Sequence, residues 1–142
     1  MRVLVSDVLG DIGVKMFQEA EGIEVDVKTG LSPEALKEII GDYHALVIRS
    51  ATRVTADLLE AATNLRVVGR AGIGLDNVDI PAATKKGIAV MNTPEGNVVT
   101  TAEHAIAMML ALSRNIPTGT TTMKEGLWEK KRLQGREIFN KV

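Results

Sequence analysis

Residues 45–70 read ALVIRSATRVTADLLEAATNLRVVGR, and this stretch contains the pattern that decides the fold. Ala45–Arg49 and Leu65–Arg70 are apolar runs with little polar alternation, which is typical of strands buried on both faces. Between them, Thr55 stands as an N-cap residue before the short helical segment Ala56–Ala62. A strand, a helix and a second strand in this order predict a right-handed crossover between parallel strands.

The same alternation of strand and helix extends to both sides of this stretch. Further strands are predicted over Arg2–Asp7, Ile23–Lys28 and Ile88–Met91. Helices are expected at Asp11–Gly22, after the Ser32–Pro33 pair, and ahead of Gly87. Five short strands that alternate with helices are typical of an α/β fold with a doubly wound parallel sheet. We expect the flavodoxin-like strand order 2-1-3-4-5.

The pattern changes after Pro94, where a long apolar helix is predicted over Val98–Arg114. Thr100 and Glu103 have the spacing of a capping box near its start. Because the helix has almost no polar face, it is either a poorly amphipathic core helix or a helix covered by a second subunit or a further domain. We favour the second interpretation. The polar tail Pro117–Val142 is predicted to be an extended arm.

Composition and charge exclude several classes of function. Hydrophobic residues make up 45% of the sequence and charged residues 25%, as in an ordinary globular protein. The formal net charge of −1 predicts neither a nucleic-acid partner nor an anionic membrane surface. The absence of cysteine excludes a disulfide framework, a thiolate metal site and a cysteine nucleophile. Without a signal pattern or an apolar run of about 18 residues, the expected location is the cytoplasm.

Two arginines end neighbouring strands of the predicted sheet, Arg49 after the third strand and Arg70 after the fourth. Ligands of open parallel sheets bind outside the carboxyl ends of the strands, and planar guanidinium groups suit a carboxylate or a phosphate. The simpler alternative is an ion pair between an arginine and a nearby aspartate. Two arginines that face one crevice nevertheless favour an anion-binding site.

The turn after the fourth strand contains Gly72, Ile73 and Gly74. Glycines on both sides of one residue allow backbone N–H groups to converge on an anion, which would form a carboxylate cradle. The alternative is a tight strand-to-helix turn that needs a positive φ. Gly72–Asn77 is not a dinucleotide fingerprint, because Asn77 stands where the third glycine belongs and no acidic residue closes a strand at the required distance.

The chain offers no acid–base pair. His44 precedes the third predicted strand, at the opposite edge of the sheet from the arginines. His104 lies one turn into the long helix, where packing or capping is the expected role. Neither histidine accompanies a metal-spaced cluster or a nucleophile. We therefore predict no catalytic residue in this chain.

Several segments together resemble the D-isomer-specific 2-hydroxyacid dehydrogenases, and among them the members that oxidise 3-phosphoglycerate with NAD. The segments are IRSAT (48–52), GRAGIGLDNVD (69–79), MNTPEGN (91–97), TAEH (101–104), WEKK (128–131) and GRE (135–137). The resemblance covers essentially the whole chain. It implies a substrate-binding domain over 1–94 and a dimerisation helix and arm over 95–142. It also implies that a Rossmann domain with the catalytic arginine, glutamate and histidine follows, so the chain alone is expected to be inactive.

The resemblance implies substrate-binding roles for individual residues. Arg49 and Arg70 would hold the anionic ends of 3-phosphoglycerate or phosphohydroxypyruvate, which are a small 2-hydroxy acid and a small 2-oxo acid. The backbone of Gly72, Ile73 and Gly74 would face the substrate carboxylate.

The resemblance also implies a cofactor and an assembly. NAD would be bound mainly by the domain that follows. Ile73 would touch its nicotinamide side, and Thr101, at the start of the long helix, would approach its phosphates. A homodimer through residues 98–142 is the implied assembly.

Alternatives inside and outside this family remain open. Within it, the chain could come from another D-2-hydroxyacid dehydrogenase, such as a glyoxylate or hydroxypyruvate reductase. Outside it, a non-catalytic dimerisation module and a signalling receiver module share the expected fold, and Asp7 ends the first predicted strand as a receiver would require. A receiver also needs an acidic phosphoacceptor at the end of the third strand, where this sequence has Arg49.

Overall fold

A parallel five-stranded sheet forms the centre of the first of two units, Met1–Gly96. The computed structural model describes residues 1–141. The strands are β1 (Arg2–Val5), β2 (Glu24–Val27), β3 (Ala45–Ile48), β4 (Val67–Arg70) and β5 (Ala89–Met91). They pair in parallel in the order β2-β1-β3-β4-β5. The predicted α/β class and flavodoxin-like strand order are confirmed, and each strand is slightly shorter than predicted.

Helices connect the strands of the first unit and continue in the second unit, which starts at Asn97. Within residues 1–141 the α-helices are α1 (Asp11–Glu19), α2 (Pro33–Ile39), α3 (Ala56–Ala61), α4 (Ile80–Lys85), α5 (Val98–Ser113) and α6 (Ile116–Lys124), and a 3₁₀ helix spans Ile40–Asp42. None of these helices combines the length and the apolar character that crossing a lipid bilayer requires.

The helices on either side of β3 begin at the predicted N-caps. Ser32 Oγ accepts a hydrogen bond from the N–H of Ala35 at 3.2 Å, and Pro33 is the first residue of α2. Thr55 Oγ1 accepts a hydrogen bond from the N–H of Leu58 at 3.2 Å at the start of α3. Each cap satisfies an N–H group that the first turn of a helix leaves free. Both cap predictions are therefore confirmed.

The core of the first unit is almost wholly aliphatic. Its largest fully buried side chains are Leu4, Ile40, Leu46, Ile48, Leu59, Val3, Val5, Val54, Val68 and Tyr43. Tyr43 donates its hydroxyl hydrogen bond to Asp26 Oδ2 at 2.7 Å, so the polar end of this buried ring is satisfied. Because the central strands are buried, their carboxyl ends form the edge of the sheet that is open to ligands.

The second unit buries much less apolar surface. Helix α5 has no buried residue, and its side chains Ile106, Met109 and Leu112 are at least half exposed. Within the described part of this unit, Thr122 of α6 is the one buried residue. Helix α5 is therefore not a core helix of its own unit.

Two local features differ from the sequence expectation. Helix α5 begins at Val98 with Asn97 as its N-cap residue, so Thr100 already lies inside the helix and the capping box with Glu103 is wrong. Helix α6 occupies the start of the tail that was expected to be an extended arm. Between α5 and α6, Asn115 adopts a left-handed conformation with φ of 55°, which ends one helix and starts the next.

Candidate functional site

The ends of β3 and β4 bring the two predicted arginines to one edge of the sheet. The strands pair in parallel with Ile48 opposite Arg70, so Arg49 lies one residue beyond this pair. Both side chains therefore start from the edge at which ligands of open parallel sheets bind. Their role in binding a substrate remains a prediction.

Arg70 is held by two contacts of its guanidinium group. Its Nε–H donates to the backbone carbonyl of Arg49 at 3.1 Å, and its Nη1–H donates to Asp76 Oδ1 at 3.4 Å. The side chain of Arg70 is 12% exposed, whereas that of Asp76 is 84% exposed. Because the Asp76 carboxylate is largely exposed to water and the contact is 3.4 Å long, this ion pair is a weak one.

Arg49 is exposed and extends in a different direction. Its Nη1–H donates to the backbone carbonyl of Val8, beyond the end of β1, at 3.3 Å. The guanidinium groups of Arg49 and Arg70 therefore contact different neighbours. Their joint binding of one anion remains a prediction.

The glycine turn after β4 is fixed by residues that follow β5. The N–H of Thr93 donates to the carbonyl of Gly72 at 3.0 Å, and Asn92 Nδ2 donates to the carbonyl of Ile73 at 2.7 Å. The N–H of Gly72 donates to the carbonyl of the last residue of β4 at 2.9 Å. A carboxylate cradle in this turn would therefore depend on the N–H groups of Ile73 and Gly74.

The glycines of this turn provide space rather than a left-handed backbone. Within residues 1–141 the glycines with positive φ are Gly22, Gly30, Gly87 and Gly126, so the positive φ that the tight-turn alternative required at Gly72 or Gly74 is wrong. A Cβ atom at Gly74 would lie 2.9 Å from Asp76 Oδ1 and 3.0 Å from Arg70 Nη1. A Cβ atom at Gly72 would meet Arg70 only at 3.7 Å, which is an ordinary contact. Gly74 is therefore the position where the ion pair approaches the backbone.

Asp7, two residues after the end of β1, organises the loop 49–52. Its Oδ2 accepts hydrogen bonds from the N–H groups of Arg49 at 2.6 Å, Ala51 at 3.2 Å and Thr52 at 3.1 Å. Its Oδ1 accepts the hydroxyl hydrogen bond of Thr52 at 2.6 Å. The sequence suggested Asp7 only as a receiver residue, although an acidic residue at the end of a buried strand was the available signal. A carboxylate occupied by four donors gives the receiver alternative no support.

Burial and hydrogen bonding act in opposite directions on the Asp7 carboxyl. Burial favours the neutral form, raises the pKa and is the largest single influence. The hydroxyl of Thr52 and the backbone N–H groups favour the charged form, and together they lower the pKa of Asp7 below its ordinary value. Asp7 is therefore a charged acceptor at neutral pH.

The side-chain amide of Asn77 donates hydrogen bonds to backbone carbonyl groups of the same loop. The residue is 6% exposed, and its Nδ2 donates to the carbonyls of Arg49 at 2.8 Å and Thr52 at 2.7 Å. The sequence pointed to Asn77 only as the residue that breaks a dinucleotide fingerprint. The structure shows what the amide does at this position, because glycine would make neither contact.

The histidines occupy other places. His44 Nδ1 accepts a hydrogen bond from the N–H of Arg2 at 3.1 Å, which is a structural contact at the start of β1. His104 lies in α5 and is exposed. Within residues 1–141, no group of three or more His, Asp or Glu side chains is placed to hold a metal ion.

Comparison with known proteins identifies a family for this chain. The sequence model of the D-isomer specific 2-hydroxyacid dehydrogenase catalytic domain matches residues 3–135. The chain therefore belongs to the D-isomer specific 2-hydroxyacid dehydrogenase family, and the resemblance of its motifs is confirmed.

Individual relatives carry a more particular name. The chain is 46% identical over 141 residues to the D-3-phosphoglycerate dehydrogenase of Synechocystis sp., which covers 99% of this chain and 25% of that relative. It is 48% identical over 142 residues to the D-3-phosphoglycerate dehydrogenase of Archaeoglobus fulgidus, which covers 100% and 27%. The NAD+-bound 3-phosphoglycerate dehydrogenase structure from Entamoeba histolytica has a TM-score of 0.74 and 28% identity, covering 97% of this chain and 43% of that chain. The chain thus spans about a quarter of the length of the curated relatives that it matches.

Proposed function

We propose that the chain forms the substrate-binding part of an NAD-dependent D-3-phosphoglycerate dehydrogenase, which oxidises 3-phosphoglycerate to phosphohydroxypyruvate for serine biosynthesis in the cytoplasm. The observation that carries the proposal is the placement of Arg49 and Arg70 at adjoining strand ends of one sheet edge. The substrate is a short acid with a carboxylate at one end and a phosphate at the other, so two guanidinium groups match its charges. The identity with D-3-phosphoglycerate dehydrogenases over the whole chain supports this choice of substrate.

In this proposal the strand-end residues bind and orient the substrate. Arg70 exchanges its weak contact with Asp76 for one anionic end, and Arg49 binds the other end. The N–H groups of Ile73 and Gly74 face the carboxylate. No catalytic residue is assigned to this chain, so its part in the reaction is binding and orientation.

NAD is the proposed cofactor, and the NAD+-bound relative from Entamoeba supports it. When bound, NAD would accept the hydride from C2 of the substrate. In the first unit, the partly exposed side chain of Ile73 offers an apolar surface to a nicotinamide ring. In the second unit, Thr101 lies in the first turn of α5, whose start has no side-chain cap, and free N–H groups at a helix start favour phosphate. Each place therefore fits the part of NAD assigned to it.

We also propose that the chain pairs with a second copy through residues 98–142. The large apolar side chains of α5 are exposed within this chain. Removing such side chains from water stabilises an association by about 25 cal/mol per Å² of apolar surface. A homodimer would give α5 the cover that its own unit does not provide.

The substrate proposal is tested by titrating the chain with millimolar 3-phosphoglycerate while the side-chain Nε–H signals of Arg49 and Arg70 are followed by NMR. Both signals should shift saturably, and inorganic phosphate and glyoxylate should bind more weakly because each offers one anionic group. If neither arginine signal moves, the substrate proposal is wrong.

The activity proposal is tested by replacing the matched segment of the Synechocystis relative with this chain. The hybrid should reduce NAD in the presence of 3-phosphoglycerate, whereas the 142-residue chain alone should show no turnover. A hybrid that prefers glyoxylate or hydroxypyruvate would identify the reductase alternative. Turnover by the chain alone would overturn its assignment as a binding part.

A further inference from the structure

We propose that Asn77 is a positioning residue for substrate binding, which fixes the loop 49–52 and with it the spacing of Arg49 and Arg70. The proposal rests on the proposed function, because it assigns no substrate of its own. Asn77 is not one of the residues proposed to contact the substrate, and it does not belong to the hydrophobic core.

The side-chain amide of Asn77 joins the two ends of the loop. Its Nδ2 carries two hydrogens, which it donates to the carbonyls of Arg49 at 2.8 Å and Thr52 at 2.7 Å. The orientation of the amide is fixed, because turning it over would place Oδ1 against two carbonyl oxygens. Aspartate and leucine have nearly the same shape as asparagine but lack both donors.

The other end of the same amide indicates that stability alone does not explain this residue. Asn77 Oδ1 is buried and has no hydrogen-bond partner in the part of the chain that the structure describes. A buried acceptor without a partner destabilises the folded state. Departures from this rule are typical of functional sites, where position matters more than the best possible packing.

One backbone oxygen connects Asn77 with both arginines. The carbonyl of Arg49 accepts hydrogen bonds from Asn77 Nδ2 at 2.8 Å and from Arg70 Nε at 3.1 Å. If this carbonyl moves, the acceptor that orients Arg70 moves with it, and so does the backbone from which the Arg49 side chain starts. Asn77 therefore controls both guanidinium groups through a single atom.

Asp7 accepts hydrogen bonds from the N–H groups of the same loop, whereas Asn77 donates to its carbonyl groups. The contribution of Asp7 to folding can therefore be separated from the contribution of Asn77 to position. Without Asn77, the loop keeps its hydrogen bonds to the Asp7 carboxylate from the N–H groups of Arg49, Ala51 and Thr52. The loop is therefore expected to stay folded but to lose its exact carbonyl positions. Loss of Asn77 should consequently affect binding more than folding.

The test compares dissociation constants for 3-phosphoglycerate, measured by the NMR titration on the chain and its variants. Asn77→Ala removes both donors without adding charge and should weaken binding about tenfold, because small displacements of binding groups have large effects. Asn77→Ser keeps one donor and should fall between Asn77→Ala and the wild-type chain. It also carries the same test if Asn77→Ala fails to fold.

Asn64 supplies the matched control. Its Nδ2 also donates to a backbone carbonyl, that of Gly41 at 2.6 Å, but outside the loop 49–52. Asn64→Ala should therefore keep the affinity within about twofold of the wild-type value. An equal loss of affinity in Asn64→Ala and Asn77→Ala would overturn the proposal.

A charged variant separates position from electrostatics. If Asn77→Asp binds weakly while Asn77→Ala binds like the wild-type chain, repulsion explains the effect and the positioning role is wrong.

In the hybrid enzyme, Asn77→Ala should raise KM for 3-phosphoglycerate with little change in kcat or in KM for NAD. A purely structural role would instead lower the active fraction and therefore kcat. Failure of the wild-type chain to bind 3-phosphoglycerate would overturn the proposed function together with this inference, whereas normal binding by Asn77→Ala overturns this inference alone.

Discussion

Two isoleucines illustrate how the units of this chain differ. Ile48 in β3 is fully buried, whereas Ile106 in α5 is 54% exposed. The same contrast holds for the units as wholes, since every buried hydrophobic residue of the described chain lies in the first unit. The first unit therefore closes an apolar core by itself. The second unit has an apolar helix, α5, that buries none of its residues within this unit.

The largest expected effect tests whether the first unit depends on its own core. Leu46, in β3, is fully buried, and Leu46→Ala should lower the free energy of unfolding by about 3 kcal/mol through lost burial and a cavity. Leu112→Ala in α5, where the side chain is 81% exposed within the single chain, should change it by less than about 0.5 kcal/mol at protein concentrations low enough to keep the chain monomeric. Urea unfolding followed by circular dichroism measures both variants. Equal losses would remove the distinction between the units.

The second prediction concerns how much a buried polar group contributes to the stability of the first unit. Asp7→Asn weakens hydrogen bonds to a charged acceptor and should lower stability at pH 7 by about 2 kcal/mol. The pKa of Asp7 is lowered by folding, so its contribution is fully present above the ordinary carboxyl pKa of about 4 and is lost as pH falls through the lower folded pKa. The gap between variant and wild type should therefore narrow in acid.

Urea unfolding at neutral pH and at acid pH measures this gap. Asp57→Asn is the control, because the Asp57 side chain is 74% exposed and pairs with Lys37 at the surface. It should change stability by less than about 1 kcal/mol at either pH. A gap for Asp7→Asn that does not depend on pH would contradict the charged-acceptor role.

The third prediction concerns the exposed apolar surface of α5 in the second unit and the dimer proposed to cover it. Ile106 and Met109 are three residues apart and lie on one side of α5. Changing both to Asp should raise the dimer dissociation constant about thirtyfold, equivalent to roughly 2 kcal/mol. Analytical ultracentrifugation measures the change, with Ile12→Asp on α1 as the control because Ile12 is 78% exposed in the first unit. A wild-type chain that stays monomeric at all concentrations would show that α5 is not covered by a second copy.

The smallest expected effect distinguishes two glycines of the first unit. A Cβ atom at Gly74 would lie 3.0 Å from Arg70 Nη1 and would shift this guanidinium group, so Gly74→Ala should weaken 3-phosphoglycerate binding about fivefold, or roughly 1 kcal/mol. Gly72→Ala meets only an ordinary contact and should leave the affinity nearly unchanged. NMR titration measures both affinities. Equal effects would mean that the close approach at Gly74 does not matter for binding.

Features of the fold that have local causes could be predicted from the sequence. The strands follow from their apolar runs, and the caps at Ser32 and Thr55 follow from side chains that bond within their own turn. Helix α6 could not be predicted, because its sequence IPTGTTTMK has low helix propensity. In the structure Thr120 and Thr121 hydrogen-bond the carbonyls one turn back, which satisfies their hydroxyl groups inside the helix.

Some residues of the candidate site could likewise be predicted from the sequence and others could not. Arg49 and Arg70 could be placed at one edge because parallel strands end together. The contacts of Asp7 and Asn77 could not be predicted, since they join residues far apart in the sequence and exist only after β1, β3 and β4 have paired in register. Asparagine at position 77 has no local turn or cap that would reveal its partners.

The distribution of aromatic residues gives the two units separate optical reporters. Tyr43, the only tyrosine, is buried in the core of the first unit, and Trp128, the only tryptophan, is 78% exposed in the second. Tryptophan emission therefore reports the surroundings of the second unit without a contribution from the first. Quenching of Trp128 by acrylamide across a protein dilution series would reveal any change in its exposure as copies associate, with no label added to the chain.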